Sequence, residues 1–172
     1  MASRVAGLGA FLEWGCKAGV AFYAFNNHVA FLSASSGPSM LPTLNLRGDV
    51  VLCDALSPKF GRLRKGDIVV CGSPRSMDKI IVKRIVGMPG ETVSYTRRGG
   101  FWEGAPVTVH VPPGHIFLQG DNPADSVDSR DYGPVPLALV KGRVMFKLWP
   151  FYEMGPFRRT LDATGDPSTA EQ

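Results

Sequence analysis

Beyond Gly37 the chain breaks into short apolar runs set between glycine- and proline-bearing turns, a pattern that builds strands and not long helices. "GDVVLCDAL" and "GDIVVCGS" are near-copies, each a Gly-Asp turn leading into a β-branched strand. Two copies make a sheet habit, not a repeat array. "DKIIVKRIV" reads as a further strand ended by "GMPGE". "GGFWEGAPVTVHVPPGHIFLQGDN" gives two more about a Pro-Pro-Gly turn, and "LVKGRVMFKLWP" the last. The expected fold is mainly β, with helix confined to the N-terminus. The 20 glycines and 14 prolines among 172 residues suit that architecture.

Residues 18–46 carry no formal charge. Their first part, "AGVAFYAFNNHVAFL", approaches the roughly 20 apolar residues of a membrane span. Asn26, Asn27 and His28 interrupt it, and polar side chains in hydrocarbon are costly unless they face a partner. The segment predicts one membrane anchor; a cleaved signal peptide or a surface-lying helix are the alternatives. Arg4 and Lys17 precede it, so the positive-inside rule keeps the short N-terminus on the uptake side. The expected organisation is an N-terminal segment with the anchor over residues 1–35, a folded domain over 36–155 and a loosely ordered tail over 156–172.

The net charge of +4 is scattered, with no basic stripe interleaved with aromatics, so no nucleic-acid partner is expected. Cys16, Cys53 and Cys71 are too few and too far apart for a disulfide framework, and no C-x-x-C spacing suggests a metal. No cofactor is expected.

Three segments could carry chemistry. In "SGPSMLPTL", Pro38 and Pro42 stiffen the backbone around Ser39, which could be presented rigidly to a substrate; an ordinary Gly-Pro loop is the alternative. A serine hydroxyl needs an activating base. His28, His110 and His115 sit in no triad pattern. Lys83 is the better candidate. Strand alternation puts it on one face with Ile81 and Ile85, and burial of that face would lower the lysine pKa toward a usable base. A lysine snorkelling from a strand edge is the alternative. "GDNPADSVDSRDYGPVP" is acidic but lacks calcium-loop spacing. Ser126, Asp128 and Arg130 alternate in it as on a strand face, where they could orient a lysine and brace a loop. A solvated acidic turn competes with that.

Together these segments resemble the type I signal peptidases with a serine-lysine dyad. The S-M-x-P box matches "SMLPT" at 39–43, G-D-[IV]-V matches "GDIVV" at 66–70, and K-R-x-x-G-x-P-G matches "KRIVGMPG" at 83–90. G-D-N-x-x-x-S-x-D-S-R matches residues 120–130 throughout. The resemblance implies Ser39 as nucleophile, Lys83 as general base, Ser126 holding the lysine amine, and Asp128 with Arg130 as a structural ion pair. It implies an antiparallel, coiled and barrel-like sheet. The endoplasmic reticulum branch has histidine where Lys83 stands. Many bacterial members carry a large insertion where only residues 91–119 lie, and tend to have serine at the place of Gly37. The resemblance is therefore to the mitochondrial branch, and implies a domain facing the intermembrane space from the inner membrane. Precursors with cleavable sorting peptides, the lipid bilayer and a second protease subunit would be its partners. A self-cleaving repressor-like protease and a non-catalytic scaffold subunit are the competing readings. With Gly37 in place of serine, a second oxyanion donor is expected from a backbone N–H freed by that glycine, or from water.

Overall fold

A computed structural model describes residues 14–20, 23, 25, 28–96, 104–157 and 159. Among the described residues ten strands form: β1 (Ala30–Ser36), β2 (Arg47–Asp54), β3 (Ile68–Ser73), β4 (Ser76–Gly87), β5 (Thr92–Thr96), β6 (Pro106–His110), β7 (His115–Gln119), β8 (Val135–Pro136), β9 (Val140–Trp149) and β10 (Gly155–Pro156). The main sheet runs β1-β2-β9-β3-β4-β7-β8, with β10 added to β9, while β5 and β6 make a separate ribbon. Every pairing is antiparallel. The mainly β expectation therefore holds, but among the described residues β1 and β8 end an open sheet and no barrel closes.

The central strand β3 is apolar at every other position and also between, because both of its faces are covered. Val69 and Cys71 join a cluster with Leu63, Ile85, Ile116, Leu118, Val135 and Val140. Ile68 and Val70 join the opposite cluster with Val51, Cys53 and Val144. Met40 and Leu44, from the loop after β1, also enter this second cluster. Full burial of each contributes roughly 1.5–3 kcal/mol, so the loop carrying Ser39 is pinned on its downstream side.

The expected boundary between the N-terminal segment and the domain shifts, while part of the expected anchor, residues 21, 22, 24, 26 and 27, lies outside the described residues. Residues 30–35, counted with the anchor segment, belong to the sheet: β1 pairs with β2 from Ala30↔Asp54 to Ser36↔Arg47. The uncharged run hides the change, since strand and helix both accept such residues. Helical backbone is described over residues 14–20 and at Tyr23, Phe25 and His28. Among the described residues no helix is long and apolar enough to cross a membrane. The start of the tail is tied down: Phe157 N–H donates to the Met145 carbonyl, and Arg159 pairs with Asp67.

A truncation tests the boundary. A chain beginning at His28 keeps β1; one beginning at Ala34 loses half the strand and Phe31, which packs against the Met40–Val51 cluster. The longer chain is expected to be more stable than the shorter by at least about 2 kcal/mol, measured by urea unfolding. Equal midpoints would show that β1 contributes nothing to the domain.

Candidate active site

Ser39 lies on a one-turn 3-10 helix, Pro38–Met40. Gly37 enters this turn at φ 123°, a conformation other residues rarely adopt, and its N–H donates to the Leu46 carbonyl at 2.8 Å. That bond commits the Gly37 N–H itself, so a backbone donor of the kind expected would have to come from another residue. Local sequence alone leaves the turn loosely directed: Pro38 has no N–H, and no side chain caps the turn.

Its direction comes from the segment 120–122, far along the chain. Asn122 donates from its backbone N to the Ser39 carbonyl and from Nδ2 to the Pro38 carbonyl, both at 3.1 Å. Asp121 accepts from Thr43 Oγ1 at 2.6 Å, from Arg84 Nε at 2.8 Å and from Arg84 Nη2 at 2.5 Å. Arg84 Nη1 reaches the Gly66 carbonyl at 3.0 Å. The Arg84–Asp121 pair is almost wholly buried, so removing one partner costs about 3–5 kcal/mol.

Lys83 stands beside Arg84 on β4 and points to the other face. Ile81 and Ile85, two residues either way, pack in the Val69–Leu118 cluster, as strand alternation predicts. Lys83 is 4% exposed. Burial pushes its pKa below the ordinary lysine range and outweighs the opposing pull of Asp128. Cys71 adds no charge near neutrality, since burial pushes its thiol up to about 12.

Ser126, Asp128 and Arg130 do come together, though not on a strand. Asp128 is the N-cap of the short helix Ser129–Tyr132, and Asp131 completes the capping box. One carboxylate thus gathers the group: it accepts from Ser126 Oγ at 2.7 Å, from the Gly120 N–H at 3.0 Å, and from Arg130 Nε and Nη2 at 2.8 and 2.6 Å. Burial alone would raise the Asp128 pKa. The Arg130 guanidinium, the Gly120 N–H and the Ser126 hydroxyl overcome it and hold the carboxyl below its usual range.

Gly120 is the crossing point. A methyl group there would collide with Ser126 Oγ and the Ser39 carbonyl. Gly120→Ala is expected to lower kcat by about 100-fold, by displacing Ser39 relative to Lys83. It should cost roughly 1–3 kcal/mol of stability through overpacking. Turnover within threefold of wild type would show that this contact does not set the site.

Ser39 and Lys83 line one groove of about 340 Å³. Residues 33–37 wall one side and residues 80–83 the other. Among the described residues both walls are strand edges without a neighbour: β1 ends the sheet, and β4 pairs with β7 only from Arg84 onward. None of the three histidines lines the groove. His28 lies beside Lys59, His110 is on the exposed face of the ribbon, and His115 bonds the Pro113 carbonyl. Among the described residues no group of three or more His, Cys, Asp or Glu side chains is arranged to hold a metal.

Sequence reasoning missed Thr43, Arg84, Asp121 and Asn122 as individual contributors. Each lies inside a box that resembled the family, but only the fold shows that the boxes bond to one another.

The profile of the signal peptidase, peptidase S26 family matches residues 11–102 and 100–149. Mitochondrial inner membrane protease subunit 1 of Xenopus tropicalis is 39% identical over 153 residues, covering 89% of this chain and 87% of that protein. Mitochondrial ATP-independent inner membrane protease subunit 1a of Arabidopsis thaliana is 44% identical over 122 residues, 71% of this chain and 72% of that protein. Mitochondrial inner membrane protease subunit 2 of Saccharomyces cerevisiae is 34% identical over 131 residues, 73% of this chain and 71% of that protein.

Proposed function

Because the chain belongs to the signal peptidase, peptidase S26 family, we propose that it is a serine endopeptidase in which Ser39 is the nucleophile and Lys83 the general base. Its substrates are precursors bearing sorting peptides, cleaved at the mitochondrial inner membrane on the intermembrane-space side. The observation that carries this is the shared groove, with a half-exposed serine and a buried lysine between two unpaired strand edges. An extended peptide laid there can hydrogen-bond to both edges, which places its scissile carbonyl along the line of Ser39.

The chemistry follows from the protonation states. Neutral Lys83 takes the Ser39 proton as Oγ attacks the carbonyl, and a tetrahedral oxyanion forms. The lysine then passes that proton to the leaving amine as the peptide bond breaks. Water, deprotonated by Lys83, then attacks the Ser39 ester; the acyl–Oγ bond breaks, the acyl group leaves as the new C-terminal carboxyl, and Lys83 returns the proton to Ser39 Oγ. In this reading Ser126 holds the amine, and Asp128 with Arg130 keeps Ser126 in place through the bonds described above.

An inert scaffold subunit has no use for a lysine buried against its charge. The match across residues 11–149 is to signal peptidases, which disfavours a repressor-like protease. A second subunit is part of the proposal, since relatives bear the names subunit 1 and subunit 2. The test incubates the purified full chain with a precursor bearing a sorting peptide and reads the new N-terminus by mass spectrometry. A precursor left intact by the wild-type chain and its partner subunit, or cut equally by Ser39→Ala, would refute the reading.

A further inference from the structure

We infer that Asn122 is a positioning residue for the nucleophile: it fixes the turn that carries Ser39 without touching the base. The inference rests on the proposed serine chemistry and assigns a role to a residue outside the dyad.

The turn Pro38–Met40 cannot fix itself. Its first residue lacks an N–H, its cap Gly37 has no side chain, and its own closing bond, Leu41 N–H to the Pro38 carbonyl, is long at 3.2 Å. Met40 and Leu44 bury the downstream side, but rotation about the Gly37–Pro38 entry is left to other contacts. Asn122 supplies them, through two donors on two successive carbonyls, those of Pro38 and Ser39. Its amide is oriented for this task, because Oδ1 accepts from the Ala124 N–H at 3.2 Å, which leaves Nδ2 to donate. The Asn amide carries the acceptor for Ala124 and the donor for Pro38 on two separate atoms, which a single hydroxyl does not.

Its neighbours serve the base and the loop instead. The Gly120 N–H goes to Asp128, and the Asp121 carboxylate goes to Thr43 and Arg84. Three consecutive residues thus register the nucleophile turn against the group around Lys83.

The two substitutions to compare are Asn122→Ala, which removes the donor to Pro38, and Asn122→Asp, which faces that carbonyl with a carboxylate oxygen. We expect kcat to fall about 10-fold in Asn122→Ala and about 100-fold in Asn122→Asp, with KM within threefold of wild type. Assays run well below each variant's unfolding midpoint separate this from loss of folded protein. In Asn122→Ala, which adds no charge, the alkaline rise of kcat/KM should keep the wild-type midpoint, because Lys83 is untouched; a general loosening of the site would move it. Wild-type kcat in both variants, a change confined to KM, or a shifted midpoint in Asn122→Ala would overturn the inference. Ser39→Ala is measured in parallel: if that variant still turns over, the serine chemistry fails, independently of Asn122.

Discussion

Ser39→Ala is expected to lower kcat by on the order of 10⁶-fold while leaving the fold intact. In the proposed chemistry the size follows from removing the atom that would form the covalent bond; what remains is the background of groove binding and any oxyanion donors. Preservation of the fold follows from the contacts. The bonds that hold this turn involve the backbone carbonyls of Pro38 and Ser39, the buried side chains of Met40 and Leu44, and the Gly37 N–H. None uses the Ser39 hydroxyl, so alanine should leave the urea midpoint unchanged and KM close to that of the wild type. The measurement is single-turnover cleavage at saturating enzyme, which detects small residual rates. Residual turnover above a few per cent would rule Ser39 out as nucleophile. An unfolded variant would contradict the contact pattern described here.

How far this site could be foreseen differs from segment to segment. The period-2 alternation through "DKIIVKRIV" correctly placed Lys83 with Ile81 and Ile85, because a strand has only two faces and both neighbours are apolar. The same rule misplaced Ser126, Asp128 and Arg130. Their spacing of two suits a strand, yet Asp128 with Asp131 three residues later is also a helix-start signature, and the capping box won. Residues 30–35 were misassigned because an uncharged run carries no periodicity able to separate an anchor from an edge strand. The bonds of Asn122 to Pro38 and Ser39 span 84 residues in one case, and no local pattern encodes such a pairing. What the motifs did convey was that four boxes belong together. Their mutual geometry emerges only when β4 and β7 pair side by side, bringing residues 83–84 against 119–121.

The second large effect is expected at Lys83, where activity and stability should move in opposite directions. Lys83→Met should lower kcat by at least about 10⁴-fold, since the reaction loses the group that both takes and returns the proton. Lys83→Arg should be equally inactive. Arginine keeps the charge, but with a pKa above ~12 it has no neutral form to act as a base near neutrality. A working arginine variant would make Lys83 an electrostatic or structural residue. In the wild type, kcat/KM should rise with pH as Lys83 loses its proton. The midpoint should lie below the ~10.4 of an unperturbed lysine, because burial favours the neutral amine. A rate flat from about pH 6 to 10 would contradict a titrating base. The same burial has a thermodynamic consequence. With the folded pKa depressed, the unfolded chain binds more protons between the folded and unfolded values, so the wild type gains stability as pH rises through that window. Below it, the folded protein carries a buried ammonium at full cost. Methionine fills similar space without a charge, so Lys83→Met should unfold at a higher temperature than wild type at neutral pH. That difference should shrink as pH approaches the unperturbed lysine value. A Lys83→Met protein less stable than wild type at neutral pH would mean that the ammonium is well paired in the native state. The lysine would then be part of the scaffold and not a base held ready by burial.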